Sequence, residues 1–224
     1  FDPGAGTANA TNETVVAKYA SDGSLVWLKS FSGNIPLAQV APDNSGNVYF
    51  LASYQGTVDF DPGAGTNNYT ATGIQDVAIV KLDANGDFVW SKTTWGAFSS
   101  PNEGTVNIID AAVDPSDDVY LAIDFTGNFL FNPGEFSITS MRTPKGGAND
   151  IAVGKFDNAG NFVQSRGVIG LISNIETTDT HFYISGTTTG QSSLDWITGN
   201  NNGRIFPYGG SEVGFVSRYD FSFN

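Results

Sequence analysis

The chain has 224 residues, 40% of them hydrophobic, enough for one domain with a sizeable core. Only 10 Lys and Arg face 23 Asp and Glu, and the net charge of −13 repels phosphate backbones and anionic membrane surfaces, so nucleic acid is not an expected partner. There is no cysteine, hence no disulfide framework and no thiolate metal site, and no apolar run approaches the ~18 residues of a membrane span, so no membrane insertion is expected.

The acid is mostly Asp, with Glu confined to Glu13, Glu103, Glu135, Glu176 and Glu212, and Asp together with 27 Gly favours turns where Glu would favour helices. The expected class is all-β. The chain starts at Phe1 and not at Met, which leads us to expect either a processed leader or further residues upstream.

In chain order, FDPGAGT at Phe1 to Thr7 is followed by a hairpin, Val15 to Tyr19 and Leu25 to Phe31, around Asp22-Gly23. Next comes LAQVAPDNSGNVYFLAS from Leu37 to Ser53, a hairpin with a longer turn. FDPGAGT recurs at Phe60. Pro fixes φ and Gly permits tight reversals, so this segment reads as a shaped turn at a sheet edge; a phosphate-binding loop would need a following helix that the sequence lacks. From Val77 to Lys92, VAIVKLDANGDFVWSK enters a tight Asn85-Gly86 turn as an alternating apolar run and leaves it as another.

The cycle then repeats. Ile109 to Asp124 and Ile172 to Gly186 are counterparts of the Leu37 segment, with Asp43 to Tyr49 aligning without gaps on Asp114 to Tyr120 and on Thr177 to Tyr183. Phe131 (FNPGEF) and Leu194 (LDWITG) are decayed copies of the Phe60 landmark. Lys18 and Lys29, Lys81 and Lys92, and Lys155 and Arg166 each stand eleven apart, and Arg218 begins a fourth copy. A four-strand antiparallel unit recurring without helical periodicity is the signature of a β-propeller blade.

The AxDxxGNVY pattern of Ala41 to Tyr49, with the FDPGAGT, VAKY and SGNVYF elements, resembles the NHL type of propeller and, more closely, the bacterial β-propeller repeat of secreted and surface proteins. That resemblance implies that the AxDxxGNVY segment supplies the two inner strands of each blade and the Lys-bearing hairpin the two outer ones. On this mapping the chain is a single propeller domain or fragment over 1–224. Residues 1–31 are the outer half of a blade, 37–95 and 106–168 are blades, and 172–224 is an incomplete blade. About three and a half blades make an incomplete ring with unpaired strand edges, so further blades of the same polypeptide or a second copy are expected to complete it.

Connections in such a blade alternate between its two ends. Both hairpin turns keep their length in every copy, whereas from the Phe landmark to the next base takes 17, 21, 24 and 24 residues, and from the outer base to the next inner Tyr takes 20, 28 and 17. All the variation falls at one end, where repeat folds place their binding sites. That end carries Trp95, Phe98, Asn102 and Glu103; Arg142, Lys145, Asn149 and Asp150; and Trp196, Asn200, Asn201, Asn202 and Arg204. Aromatics beside amides can stack on and hydrogen-bond a carbohydrate or a protein, the partners expected here; the competing reading is that the aromatics pin long loops to the blades.

Other constellations read as structure. With Asp22-Gly23 as a two-residue turn, Lys18 lies opposite Trp27 and Lys81 opposite Trp90, so stems packing on rings, with a cation–π contribution, account for the recurrent bases. Acids five residues ahead of the first base (Glu13, Asp76, Asp150) fit pairing at blade edges. His181 is the lone histidine, at the turn position of Asn47 and Asp118. Asp83, Asn85 and Asp87 place oxygens at calcium-loop spacing, but Gly86 is fourth where such a loop wants its Gly sixth, leaving only a weak calcium site. Asp110, Glu103, Asp124 and Asp195 fall near the variable end without a spacing that singles out a catalytic pair. The expected function is a non-catalytic binding or structural scaffold, secreted or at the cell surface; the alternative is a polysaccharide lyase or hydrolase.

Overall fold

The chain folds as strands joined by turns, and no helix occurs among the residues that the computed structural model describes, 14–96, 104–126, 129–131, 150–168, 171–189 and 212–221. A hairpin of β1 (Thr14–Tyr19) and β2 (Leu25–Phe31) comes first. After it come β3 (Asn34–Pro42), β4 (Val48–Gln55), a ribbon of β5 (Thr57–Asp59) and β6 (Asn68–Thr70), β7 (Asp76–Leu82) and β8 (Phe88–Thr93). The next set is β9 (Trp95–Gly96), β10 (Val106–Val113), β11 (Val119–Phe125), β12 (Phe129–Leu130), β13 (Asp150–Phe156) and β14 (Phe162–Val168). The last is β15 (Leu171–Thr177), β16 (His181–Thr189) and β17 (Glu212–Asp220).

These strands form antiparallel sheets of one recurring order, β3-β4-β7-β8, β10-β11-β13-β14 and the three-stranded β15-β16-β17. In each, the hairpin with the Asp43-type turn supplies the first two strands and the Lys-bearing segment supplies the others. The first strands of consecutive sheets lie side by side, β3 against β10 and β10 against β15, and the described sheets do not close into a ring.

Three apolar cores lie between consecutive sheets. One joins β1 and β2 to the first four-stranded sheet through Val16, Phe31, Phe50 and Val80; a second joins the two four-stranded sheets through Tyr49, Ile79, Leu121 and Phe125; a third joins the second of these to the last sheet through Tyr120, Val153, Ile175 and Ile184. A sheet held between two neighbours buries both faces. The expected alternation in β7 is therefore corrected: all seven of its residues are buried, Val77 and Ile79 toward one core and Ala78, Val80 and Leu82 toward the other.

Turn chemistry differs from expectation in two places. Neither Asn85-Gly86 nor Asp22-Gly23 is a two-residue loop; at the latter Tyr19 pairs with Leu25, leaving five residues between them. Leu82 pairs with Phe88, leaving five residues between them, because Asp83 Oδ1 accepts the N–H groups of Asn85 and Asp87 and so stabilises a longer loop with Gly86 at φ +79°. A bulge after Lys81 absorbs the extra residue, and the same bulge follows Lys18, so the expected pairs Lys18–Trp27 and Lys81–Trp90 still form. The second correction concerns the ungapped placement of Thr177 on Asp43. Thr177 is the last residue of β15, and Thr178 donates its N–H to the His181 carbonyl as Asp43 does to Asn47. That turn is one residue shorter than its counterparts, so the hairpin turns are not all of one length.

The second FDPGAGT copy closes the β5–β6 ribbon. Asp59 Oδ1 accepts the N–H groups of Asp61 and Asn67, Asp61 Oδ1 accepts that of Gly63, and Phe60 is fully buried between Phe31, Tyr54 and Tyr69, with ring centroids 5.1 Å from Tyr54 and 6.0 Å from Tyr69. The first copy, Phe1 to Thr7, lies outside the described residues. Asp76 is fully buried and caps the entry to β7 by accepting from the Thr72 N–H and hydroxyl; Glu13 and the Asp150 side chain lie outside the described residues. Replacing Phe60 by Ala removes the ring on which the ribbon rests, and the expected cost is about 3–5 kcal/mol. Chemical denaturation of the variant measures it.

Candidate functional site

The two ends of the sheets carry different chemistry. At the turn end, each sheet is tied to the next through lysines, tyrosines and tight turns. Lys81, 5% exposed, donates to the Tyr49 hydroxyl at 3.0 Å and to Asn158 Oδ1 of the next sheet, and stands 3.8 Å from the buried Asp43 carboxylate. Lys155, 8% exposed, is 3.4 Å from Asp114 and 3.0 Å from Asp118. Their ammonium groups lie 4.9 Å from the Tyr49 ring centroid and 5.1 Å from that of Tyr120. The expected cation–π partner, Trp, is corrected to Tyr, because the ladder sets Tyr49 opposite Lys81 and Tyr120 opposite Lys155 on the inner side.

The tryptophans act between sheets. Trp27 Nε1 donates 3.0 Å to the Ala84 carbonyl, and Trp90 Nε1 donates 3.0 Å to the Asn158 carbonyl. These carbonyls occupy the same place in successive outer turns. Each indole lies over the turn's glycine, where a Cβ would come within 2.9 Å of Trp27 at Gly86 and 3.0 Å of Trp90 at Gly160. Lys18 adds bonds to the Gly46 and Ala84 carbonyls at 3.0 and 3.2 Å, and Lys29 pairs with Asp87 at 3.2 Å. At the third junction Gln164 stands where Trp27 and Trp90 do, and the Phe221 carbonyl is met by Lys155 and the Tyr120 hydroxyl, both at 3.5 Å.

Protonation at this end follows from the same contacts. Burial, aided by neighbouring Asp43, pushes the Tyr49 hydroxyl above its ordinary range, and burial with Asp114 does the same to Tyr120. Backbone hydrogen bonds, first that of Asp87, hold Asp83 below the usual carboxylate range. Its Oδ1 is engaged by two amides and Asp87 Oδ1 by Lys29; among the described residues no group of three acidic or imidazole side chains converges to hold a metal ion. Asp117 is pushed up, chiefly by burial and then by Asp43, and is held at φ +63° where the matching turn has Gly46.

At the opposite end lies a feature that sequence reading missed. Asn34 Nδ2 donates to Gln55 Oε1 (2.9 Å), Gln55 Nε2 to Gln75 Oε1 (3.0 Å), Gln75 Nε2 to Asn107 Oδ1, and Asn107 Nδ2 to Asp124 Oδ1 (2.6 Å). This directional row of amides crosses two sheets, and Gln75 also exchanges bonds with the Val106 backbone. The signal was present, since four of the five residues stand at or one residue from strand ends and Gln75 directly precedes β7, but no recurrent spacing marks them.

Of the expected binding residues, Trp95 lies on β9, whose backbone pairs with Leu130 of β12. Phe98, Asn102, Glu103, Arg142, Lys145, Asn149, Trp196, Asn200, Asn201, Asn202 and Arg204 lie outside the described residues, as do Asp195 and the side chains of Trp95 and Asp150. Asp110 accepts from Asn174 and from the Ile175 N–H of the next sheet, and is not brought to Asp124 by any described contact. His181 Nδ1 meets the Thr180 hydroxyl at 2.8 Å.

No family model matches the chain. It is similar to an uncharacterized WD repeat-containing protein of Acanthamoeba polyphaga mimivirus, 29% identical over 124 residues, covering 48% of this chain and 8% of that protein. The chain thus spans less than a tenth of that relative's length.

Replacing Asp117 by Gly is expected to stabilise the fold by roughly 1 kcal/mol through backbone relief. A carboxyl raised in the folded state costs stability once pH exceeds its unfolded value and costs nothing well below it, so Asp117→Asn should raise Tm at pH 7 and lose that advantage toward pH 3. Calorimetry at the two pH values checks both. Trp90→Phe keeps an aromatic ring but loses part of the indole surface and its donor, for an expected loss of at least about 1 kcal/mol in urea unfolding.

Proposed function

We propose that this chain is a segment of a β-propeller of NHL-like repeat type, acting outside the cell or at its surface as a non-catalytic scaffold that binds protein or carbohydrate through its variable loop end. The observation that carries this reading is the recurrence of one antiparallel sheet order with consecutive first strands side by side, the arrangement of propeller blades around an axis. Similarity to a WD repeat-containing protein supports the propeller part. The secreted placement and the NHL-like type rest on the FDPGAGT and SGNVYF motifs.

The division of labour between the two ends supports the choice of binding face. At the turn end Lys18, Trp27, Lys81, Trp90 and Lys155 are engaged in contacts within and between sheets. The loop end carries the amide row, and the length-variable connections enter and leave there. Amide side chains with aromatic neighbours suit hydroxyl-rich or peptide ligands, whose groups both donate and accept.

A glycan array and a peptide array probed with the labelled chain test this. Trp196→Ala with Arg204→Ala is expected to weaken binding by at least tenfold with Tm unchanged, and Asn107→Ala to weaken it further. Binding indifferent to these changes overturns the assignment of the loop end, and polysaccharide turnover abolished by Asp124→Asn overturns the non-catalytic reading.

A further inference from the structure

Three outer turns of the repeat share one backbone pattern. At each, a glycine of positive φ donates its N–H to the carbonyl three residues earlier, Gly23 to Ala20, Gly86 to Asp83 and Gly160 to Asp157. The residue before that glycine differs, being Asp22, Asn85 and Ala159 in turn. Coverage differs as well. A Cβ on Gly23 would meet nothing within 4 Å, whereas one on Gly86 would come within 2.7 Å of Lys29 Cε and 2.9 Å of the Trp27 ring. Of the three turns, only the middle one sets an exposed asparagine before a glycine covered by the preceding hairpin.

An asparagine amide is open to attack by the next backbone nitrogen, and glycine, with no side chain, obstructs that approach least. The Gly86 nitrogen bonds to Asn85 Cγ, the Cγ–Nδ2 bond breaks, and the side-chain nitrogen leaves as ammonia with the Gly86 proton. Water then opens the resulting cyclic imide at either carbonyl, giving aspartate or isoaspartate. The closed turn bars the first step. The Gly86 N–H is held 2.9 Å from the Asp83 carbonyl, the Asn85 N–H donates 2.8 Å to Asp83 Oδ1, and the Trp27 ring lies over the glycine. Three more contacts reach this turn from the first hairpin: Trp27 Nε1 and Lys18 Nζ both donate to the Ala84 carbonyl, and Lys29 pairs with Asp87.

We propose that Asn85 is a site of spontaneous deamidation whose rate is set by opening of the seam between the first hairpin and the β7–β8 turn. While the indole and the two lysines hold the turn, the Gly86 nitrogen is occupied; when the seam opens, it becomes the nucleophile. The product then keeps the seam loose. Isoaspartate adds one atom to the backbone directly after Ala84, whose carbonyl is the shared acceptor, and either product places a new carboxylate between Asp83 and Asp87 in a chain already at −13. No loop-end residue takes part, so this inference and the binding reading stand or fall separately.

The test incubates the full chain in mildly alkaline buffer and maps aspartate and isoaspartate at position 85 by mass spectrometry. A synthetic peptide copying Val77–Lys92 gives the rate of the open turn. Deamidation in the chain is expected to be about tenfold or more slower than in the peptide, and Trp27→Ala to recover most of that factor. Loss of the ring also weakens the core behind it. Lys18→Met, which removes the ammonium's bonds to the Gly46 and Ala84 carbonyls, is therefore measured too, with an expected acceleration of about twofold to fivefold while β7 amides stay protected from exchange. In the deamidated fraction the Trp27 indole proton, now bonded to the Ala84 carbonyl, is expected to exchange about tenfold faster. A chain rate equal to that of the peptide, or a rate indifferent to both substitutions, overturns the control by the seam. Unchanged indole exchange in the deamidated fraction overturns the loosening.

Discussion

Burial of both faces of each four-stranded sheet is the constraint on which this architecture depends. A sheet with one wet face can stand at a surface; one that is apolar on both faces has to be flanked. β7 is the extreme case, with every residue buried, and it can exist only because β1 and β2 cover one side while β10 and β11 cover the other. Lysines at the ends of such strands would be costly inside, and the fold accommodates Lys81 and Lys155 by giving each a tyrosine ring and a turn carboxylate.

The same arrangement sharpens the meaning of the acidic composition. Lys29, Lys81 and Lys155 each stand beside a carboxylate, so these pairs cancel and leave the net charge of −13 to the remaining groups. The resulting field disfavours polyanionic partners.

Much of this was legible in the residues, and the parts that were not have physical reasons. Register around Lys18 and Lys81 could be read because hairpin pairing propagates from the turn, and the bulge happened to restore it. Loop length could not, since Asn-Gly suggests a two-residue reversal until Asp83 is seen to cap a longer one. The ring that meets each lysine differs from expectation because a strand in the middle of a sheet has two neighbours, and the sequence-adjacent Trp is only one of them. For the candidate site, strand ends told where ligands have access, yet the amide row from Asn34 to Asp124 joins residues 90 positions apart through a sheet-to-sheet junction that no local pattern encodes. The turn of Thr178 is shifted by one because a threonine hydroxyl there does the capping that a carboxylate does elsewhere.

Gln164 ends the series of indole wedges. Where Trp27 and Trp90 clamp the following turn with a short bond and a flat ring, the Phe221 carbonyl is met by two bonds of 3.5 Å. The shorter bonds of this junction run from Asn174 and Ile175 to Asp110 and from the Thr177 hydroxyl to the Val113 carbonyl. In a row of near-identical layers each seam can be fastened by its own contacts, and here the fastening shifts from the outer ring to the edge of the first strand. The layers are thus repeated while their clasps are not: an indole holds two seams, and a carboxylate on β10 holds the third.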